Sequence, residues 1–329
     1  CPFFLSSFHS PSYLAPAFTR LKSILGKASI LLGLLLLCTF FSFTARNFLT
    51  QKNLLNIALQ TSIIAIVAIG QTYTITGGGI DLSVGSVVGL SSIVVSMLLV
   101  HDVSIPIAIL MAIAAGLTCG AINGFIIAYG GIAPFIATLG MLSIARGIVY
   151  VACDGVPITG LPSEFSVLGA GRAFGTIPVP IIILSVLAVV MGIIFHKSKF
   201  GRHIFALGSN ENTAYLSGVN TKKVKFMMYL CCSLMAAIAG IILTSRVISG
   251  QPNSGEAYET DAIAAAVIGG ASMSGGQGSI IGTLIGALMM GVLNNGLNLL
   301  GLSYFYQKIA IGMVIIAAVY IDMLRSRKK

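Results

Sequence analysis

Ten apolar runs follow one another along this chain, separated by short polar connectors: residues 28–45, 54–75, 82–100, 104–129, 132–152, 178–196, 226–246, 262–275, 279–300 and 304–323. An α-helix that crosses a bilayer needs about 20 predominantly apolar residues, and most of these runs come close to that or exceed it. The run at 262–275 is short for a crossing, so a half-helix that enters and turns is an alternative there, but the basic tail argues for a crossing. The pattern predicts an all-α polytopic membrane protein of about ten transmembrane helices, interrupted by glycine-rich breaks.

Two polar, glycine-rich stretches stand out against these runs. The first is Thr76–Gly77–Gly78–Gly79–Ile80–Asp81–Leu82–Ser83–Val84–Gly85–Ser86. Three consecutive glycines do not hold a regular helix cheaply, because each gives up more backbone freedom than alanine. Non-helical backbone at membrane depth is tolerated only where protein or a water-filled cavity satisfies it, so Gly77, Gly78, Gly79, Asp81 and Ser83 are candidates to line a pathway. The bland reading of Asp81 is a helix cap for the run beginning near Leu82, and it is the preferred one. The second stretch is Gly269–Gly270–Ala271–Ser272–Met273–Ser274–Gly275–Gly276–Gln277–Gly278. It reads equally as an unwound gate, with Ser272, Gly275 and Gly276 on the pathway, or as a tight cytoplasmic turn. Gly77, Gly85–Ser86 and Gly89 recur 193 residues later as Gly270, Gly278–Ser279 and Gly282, a weak internal repeat. Transporter repeats place broken segments together at the substrate pathway.

Composition sharpens the class. The chain is 56% hydrophobic and 9% charged, with a mean hydropathy of +0.98, whereas soluble domains carry about 25% charged residues. The net charge of +10 sits in connectors and termini, the distribution of membrane orientation and not of nucleic-acid binding. Lys197, Lys199, Arg202, Lys222, Lys223 and Lys225 against Glu211 place loop 197–225 in the cytoplasm. The tail 325–329 and the segment with Arg20, Lys22 and Lys27 go there too, so both termini are cytoplasmic. Loops 153–177 and 247–261 are acidic and face outward; Arg46 and Lys52 run against the rule. The division expected is 1–27 as an N-terminal extension and cytoplasmic segment, 28–324 as the permease domain, and 325–329 as a basic tail. The basic-then-apolar order from Arg20 into Ile30–Phe43 is read as a retained first helix, not a cleaved signal.

The remaining polar positions have structural readings first. Cys38, Cys119, Cys231 and Cys232 lie in apolar runs as small hydrophobes, without Cys-x-x-Cys or histidine clusters, so no metal site is expected. Gly116 and Gly120, and Gly282, Gly286 and Gly291, set small residues one turn apart for close helix packing. Asn294, Asn295 and Asn298 lie in the ninth run, 294 and 298 on one helical face; helix glue is the preferred reading and a polar pathway lining the runner-up, and Asn123, Gln60 and Gln71 raise the same alternatives. Arg146, near the outer end of its run, is read as snorkelling to the interface. Residues 211–217 form a short helix with Asn210 as N-cap and Gly218 as its stop. Held between basic flanks in a loop of unusual length, that helix fits partner contact better than a plain connector.

Several of these motifs in order resemble the ribose-type sugar ABC importer permeases, within the branched-chain amino acid and sugar permease superfamily. They are Gly79–Ile80–Asp81–Leu82–Ser83–Val84–Gly85–Ser86, Ala137–Thr138–Leu139–Gly140, Gly201–Arg202 through Leu216–Ser217–Gly218–Val219–Asn220, Tyr258–Glu259–Thr260–Asp261–Ala262–Ile263–Ala264–Ala265, and Gly282 through Leu300–Gly301. The resemblance runs from about residue 28 to 323. It implies an inner-membrane permease, a homodimer, fed with a monosaccharide by an extracytoplasmic binding protein. Two cytoplasmic ATPase subunits would dock on a coupling helix at 210–218, giving Asn210, Glu211, Ala214, Leu216, Ser217 and Gly218 that role. Where the family has Glu-Ala-Ala, this chain has Glu211–Asn212–Thr213–Ala214. The chain would bind no cofactor; ATP and magnesium belong to the partner, in line with the missing Walker A sequence. The alternative is a stand-alone ion-coupled carrier, for which Asp81 is the one intramembrane candidate. No zinc-hydrolase or nucleophile-elbow motif supports an intramembrane enzyme.

Overall fold

The structure is a computed structural model that describes residues 15–173 and 175–326. The far N-terminal extension and the last three residues of the basic tail lie outside it. Thirteen α-helices are present among the described residues: α1 (Ala15–Thr44), α2 (Gln51–Thr76), α3 (Val84–Val100), α4 (Ile105–Ala128), α5 (Pro134–Cys153), α6 (Val167–Ala170), α7 (Val179–Lys197), α8 (Lys199–Ser209), α9 (Glu211–Leu216), α10 (Thr221–Val247), α11 (Tyr258–Ile268), α12 (Ile280–Leu299) and α13 (Tyr304–Ser326). A two-stranded antiparallel ribbon, β1 (Arg172–Ala173) and β2 (Ile177–Pro178), precedes α7.

All ten apolar runs contain helix, and their ends obey local rules. Pro106 and Pro134 sit in the first turns of α4 and α5, where the missing N–H has no partner to lose. The Thr50 and Ser279 side chains accept from Asn53 N and Gly282 N and cap α2 and α12. Six helices are long and apolar enough to cross a membrane: α2, α4, α5, α7, α10 and α12. The eighth run departs from expectation. Its helix is 258–268, not 262–275, because Gly269–Gly270 turns the chain, with φ +94° at Gly270.

Helices α2 and α10 are the axis of the bundle. Both are buried over most of their length and they pack on each other. Helices α3 and α4 lean on α10, α11 and α12 on α2, α5 on α3, and α1 on α12. The outer helices α4, α5 and α7 present large exposed apolar side chains, including Leu110, Val151 and Val189. A rim of that kind is unfavourable in water, and it marks a multi-pass membrane protein.

Without a hydrophobic force between helices in lipid, close packing and interhelical hydrogen bonds hold the bundle. Glycines supply the first. A Cβ at Gly116 would meet Ala237 Cβ at 2.6 Å, and one at Gly120 would meet Ser233 and the Tyr229 carbonyl at 2.7–2.8 Å. Gly286 and Gly291 abut Ala265 O and Thr61 in the same way. The second comes from Thr72 with Thr283 at 2.7 Å, Tyr73 with Met191 O at 2.6 Å, and Thr244 with Ser92 at 2.7 Å. Of the three asparagines of α12, Asn295 is the glue. It exchanges two 2.9 Å bonds with Asn53, while Asn294 is half-buried and Asn298 is exposed. A single helical step, 100° around the axis, separates Asn294 from the glue residue.

The loop after α10, expected to face outward, enters the protein interior. It enters the bundle beside α3: Gly250 lies against Ser96, the Ser254 carbonyl against Gly89, and Gly255 against Val88 and the Gly85 carbonyl. Ile248 and Ala257, with φ of +52° and +67°, turn the chain at its two ends, a conformation non-glycine residues adopt rarely.

Replacing Gly120 by Leu overfills the α4–α10 contact, whereas Gly140 of α5 has open space around it. Gly120→Leu is expected to destabilise the bundle by about 1–3 kcal/mol and Gly140→Leu to leave it intact; thermal unfolding in detergent reads the difference.

Candidate functional site

The two glycine breaks, distant in sequence, meet at one junction with the end of α8. The Gly276 N–H donates to the Thr76 carbonyl at 2.8 Å, and the Thr76 hydroxyl donates to the Gln277 carbonyl at 3.3 Å. Gly208, next to last in α8, packs backbone to backbone on both. A Cβ there would strike the Thr76 carbonyl and stand 2.5 Å from Gly276 N. Gly275 approaches Gly208 from the other side, and a Cβ on Gly78 would lie 3.9 Å from the Gly208 Cα. Gly78, Gly275 and Gly276 all have φ between +72° and +83°, where glycine alone is unstrained. The weak repeat read from the sequence thus corresponds to real proximity of the breaks.

Helix α8 is strongly amphipathic and absent from the list of apolar runs. Its buried face, Gly201, Ile204 and Leu207, docks on the bundle. Tyr73, Phe195 and Phe205 form an aromatic stack beside it, with ring centroids 4.8 and 4.9 Å apart. Helix α9 follows at once. Asn210 Oδ1 accepts from Thr213 N at 2.9 Å and caps it. Gly218, at φ +82°, ends it by accepting a left-handed turn. The predicted helix, cap and stop are all present, one residue shorter. Ala214 faces inward, whereas Tyr215 and Leu216 are 68% and 84% exposed. Glu211 pairs with Lys225 of α10 at 2.6 Å. Asn212, Gly218 and Asn220 line a surface cleft of about 660 Å³ beside Tyr215. Ser217 bonds back to the Thr213 carbonyl.

Other predicted pathway residues are elsewhere. Asp81 and Ser83 are fully buried, and Ser83 is bonded to α4, not to the junction. Asp81 Oδ1 accepts from Ser83 N at 2.9 Å and the Ser83 hydroxyl at 2.6 Å, and Asn123 Nδ2 donates to that hydroxyl at 2.9 Å. Asp81 therefore holds the entry to α3 from outside its first turn. Gly77 and Gly79 give room to Met228 and Tyr229 of α10. Ser272 shapes its own turn, its N–H donating to Gln277 O at 3.1 Å. Gln71, with its amide oriented by its neighbours, donates to Asp81 O at 3.3 Å and accepts from Asp81 N at 3.2 Å.

Arg146 corrects a prediction outright. It does not snorkel; it donates to the carbonyls of Pro252 at 2.8 Å, Ser254 at 2.9 Å and Gly85 at 3.3 Å. It pins the inserted loop 248–257 to α3. A lone arginine within an apolar run was the available signal, since such a charge seeks protein partners. Gly208 carried no signal, because only its neighbours make it special.

A bundle of membrane-spanning helices with paired backbone breaks, joined to an amphipathic cytoplasmic-type helix pair, defines a transport permease. Residues 53–319 match the family described as branched-chain amino acid transport system, permease component, and the chain belongs to that family. It is 46% identical to the ribose import permease protein of Bacillus subtilis over 92% of this chain and 94% of the relative. It is 44% identical to the ribose import permease protein of Escherichia coli, over 92% and 95%. The D-allose transport system permease protein of Escherichia coli is 36% identical over 89% and 90%. No solved structure matches the chain.

Gly208→Ala is expected to cut transport by at least about tenfold, because even a methyl group overlaps a fixed carbonyl. Gly192→Ala on α7, where nothing lies within 4 Å, serves as its control. Solute uptake into proteoliposomes checks both.

Proposed function

We propose that this chain is the membrane-spanning subunit of an ATP-driven importer that carries a monosaccharide, ribose first among candidates, across the bacterial inner membrane. The observation that carries this reading is the similarity to ribose import permeases over nine-tenths of the chain. An extracytoplasmic sugar-binding protein delivers the solute, two copies of the chain form the pore, and a cytoplasmic ATPase supplies the energy. The chain itself holds no cofactor; ATP and magnesium sit on the ATPase. The two ribose relatives are import permeases, which gives the ion-coupled carrier no support.

Ten crossings with both termini inside complete this reading. The loop 248–257 follows α3 from Ser96 to Gly85, a drop of about 16 Å at 1.5 Å per helical residue. The eleven residues of α11 add about 16 Å more. Together they match a hydrocarbon core of about 30 Å, so an irregular stretch and a half-helix make one crossing. The basic loop with α8 and α9 then faces the cytoplasm, and Tyr215 and Leu216 are the side chains an ATPase would grip. Motion of α9 passes through α8 to Gly208 and from there to both breaks. Each state of the pathway is favoured by whichever partner binds it better.

Reconstitution with a candidate ATPase and sugar-binding protein is expected to give ATP-dependent ribose uptake. Uptake by the permease alone, driven by an ion gradient and indifferent to ATP, would overturn the reading. Leu216→Asp is expected to reduce co-purification of the ATPase by about tenfold, as loss of a buried interface anchor does. Gly218→Pro is expected to leave ATP hydrolysis running without transport, read as the ratio of sugar moved to ATP consumed.

A further inference from the structure

A second polar site lies at the start of α11, where the motif residue Asp261 and the amide Asn294 come together. It is a cavity of about 190 Å³ between α11, α12 and α13, lined by Glu256, Asp261, Asn294, Gln307, Lys308 and Ile311. Asp261, in the first turn of α11, is 8% exposed, and its Oδ1 has no hydrogen-bond partner among the described residues. A buried acceptor in this condition calls for a matching donor. Gln307 Nε2 is committed to the Leu302 carbonyl at 2.8 Å, which leaves its oxygen as an acceptor. Asn294 offers both a donor and an acceptor on a half-buried wall.

The lining mixes carboxylates, amides and one ammonium group. An anion would face two carboxylates, and a small metal cation would face Lys308. A hydroxyl both donates and accepts, and a carboxylate can take two hydroxyl protons at once. We infer that this cavity is a contact site for the hydroxyl groups of a neutral polyol, with Asp261 and Asn294 as its principal contacts. The inference rests on the monosaccharide-importer reading and locates a step of it: sugar leaving the binding protein meets this wall before the glycine junction. It also gives Asn294 the pathway role, through a wall built largely by α11 and α13.

The test uses the full complex of permease, ATPase and binding protein in proteoliposomes, with D-ribose as the probe. Asp261→Asn and Asn294→Ala are each scored by ribose moved per ATP hydrolysed under saturating binding protein. Misfolded protein contributes to neither quantity, so the ratio reports on assembled complexes. A fall of at least about fivefold in both variants, the loss of one hydroxyl contact, supports the site. A wild-type ratio in either variant overturns it. Wild-type complex that moves no ribose under ATP fails the importer reading instead, so the two failures are told apart.

Discussion

Every backbone amide and carbonyl inside a bilayer must find a protein partner, and this requirement governs where the bundle can afford to be irregular. It is irregular in three places: residues 77–83, 248–257 and 269–279. Each is satisfied by a dedicated device. Gln71 brackets the Asp81 peptide, Arg146 gathers three carbonyls, and the two glycine breaks close on each other through Thr76 and Gly276. Gln71 and Thr76 come from the axial helix α2, and Arg146 from α5, which packs on α3. Irregular backbone is thus confined to places where rigid neighbours supply the missing hydrogen bonds.

The same devices explain how a pathway can exist in so apolar a chain. Non-helical backbone exposes carbonyls and N–H groups without charged side chains, and it can change conformation by rotating about glycine. The junction at Gly208 brings α8 into direct backbone contact with both breaks. Contacts of this kind tolerate no side chain and leave α8 little room to shift without its neighbours. In the proposed importer, coupling would rest on this steric exclusion more than on any particular hydrogen bond.

The chemistry is distributed along the bundle. The α8–α9 junction carries close-packed backbone and an exposed apolar pair on α9. The start of α11 carries a mixed acid, amide and amine wall. Arg146 stands between the inserted loop 248–257 and α3, and it lines a second small cavity with Glu256 and Glu259. Glu256 borders both cavities, so the inserted loop that Arg146 fixes also shapes the polar wall.

By itself the sequence determined the helical class, the positions of the helices in the ten apolar runs, the two breaks, and α9 with its cap and stop. Those features depend on local hydrophobic period, glycine conformational freedom and short-range capping, all of which act within a few residues. It also carried the family resemblance, spread over several motifs in order. What it did not determine was which polar side chain meets which. Asn295 and not Asn294 pairs with Asn53, Asp81 bonds Ser83, which Asn123 of α4 holds, Arg146 reaches inward, and Gly208 is the point of contact between distant breaks. Each of these depends on a rotation of a helix or an approach between segments far apart in the chain. Tertiary packing alone fixes such choices, because a helix turned by one residue satisfies its own backbone equally well while presenting a different side chain to its neighbour.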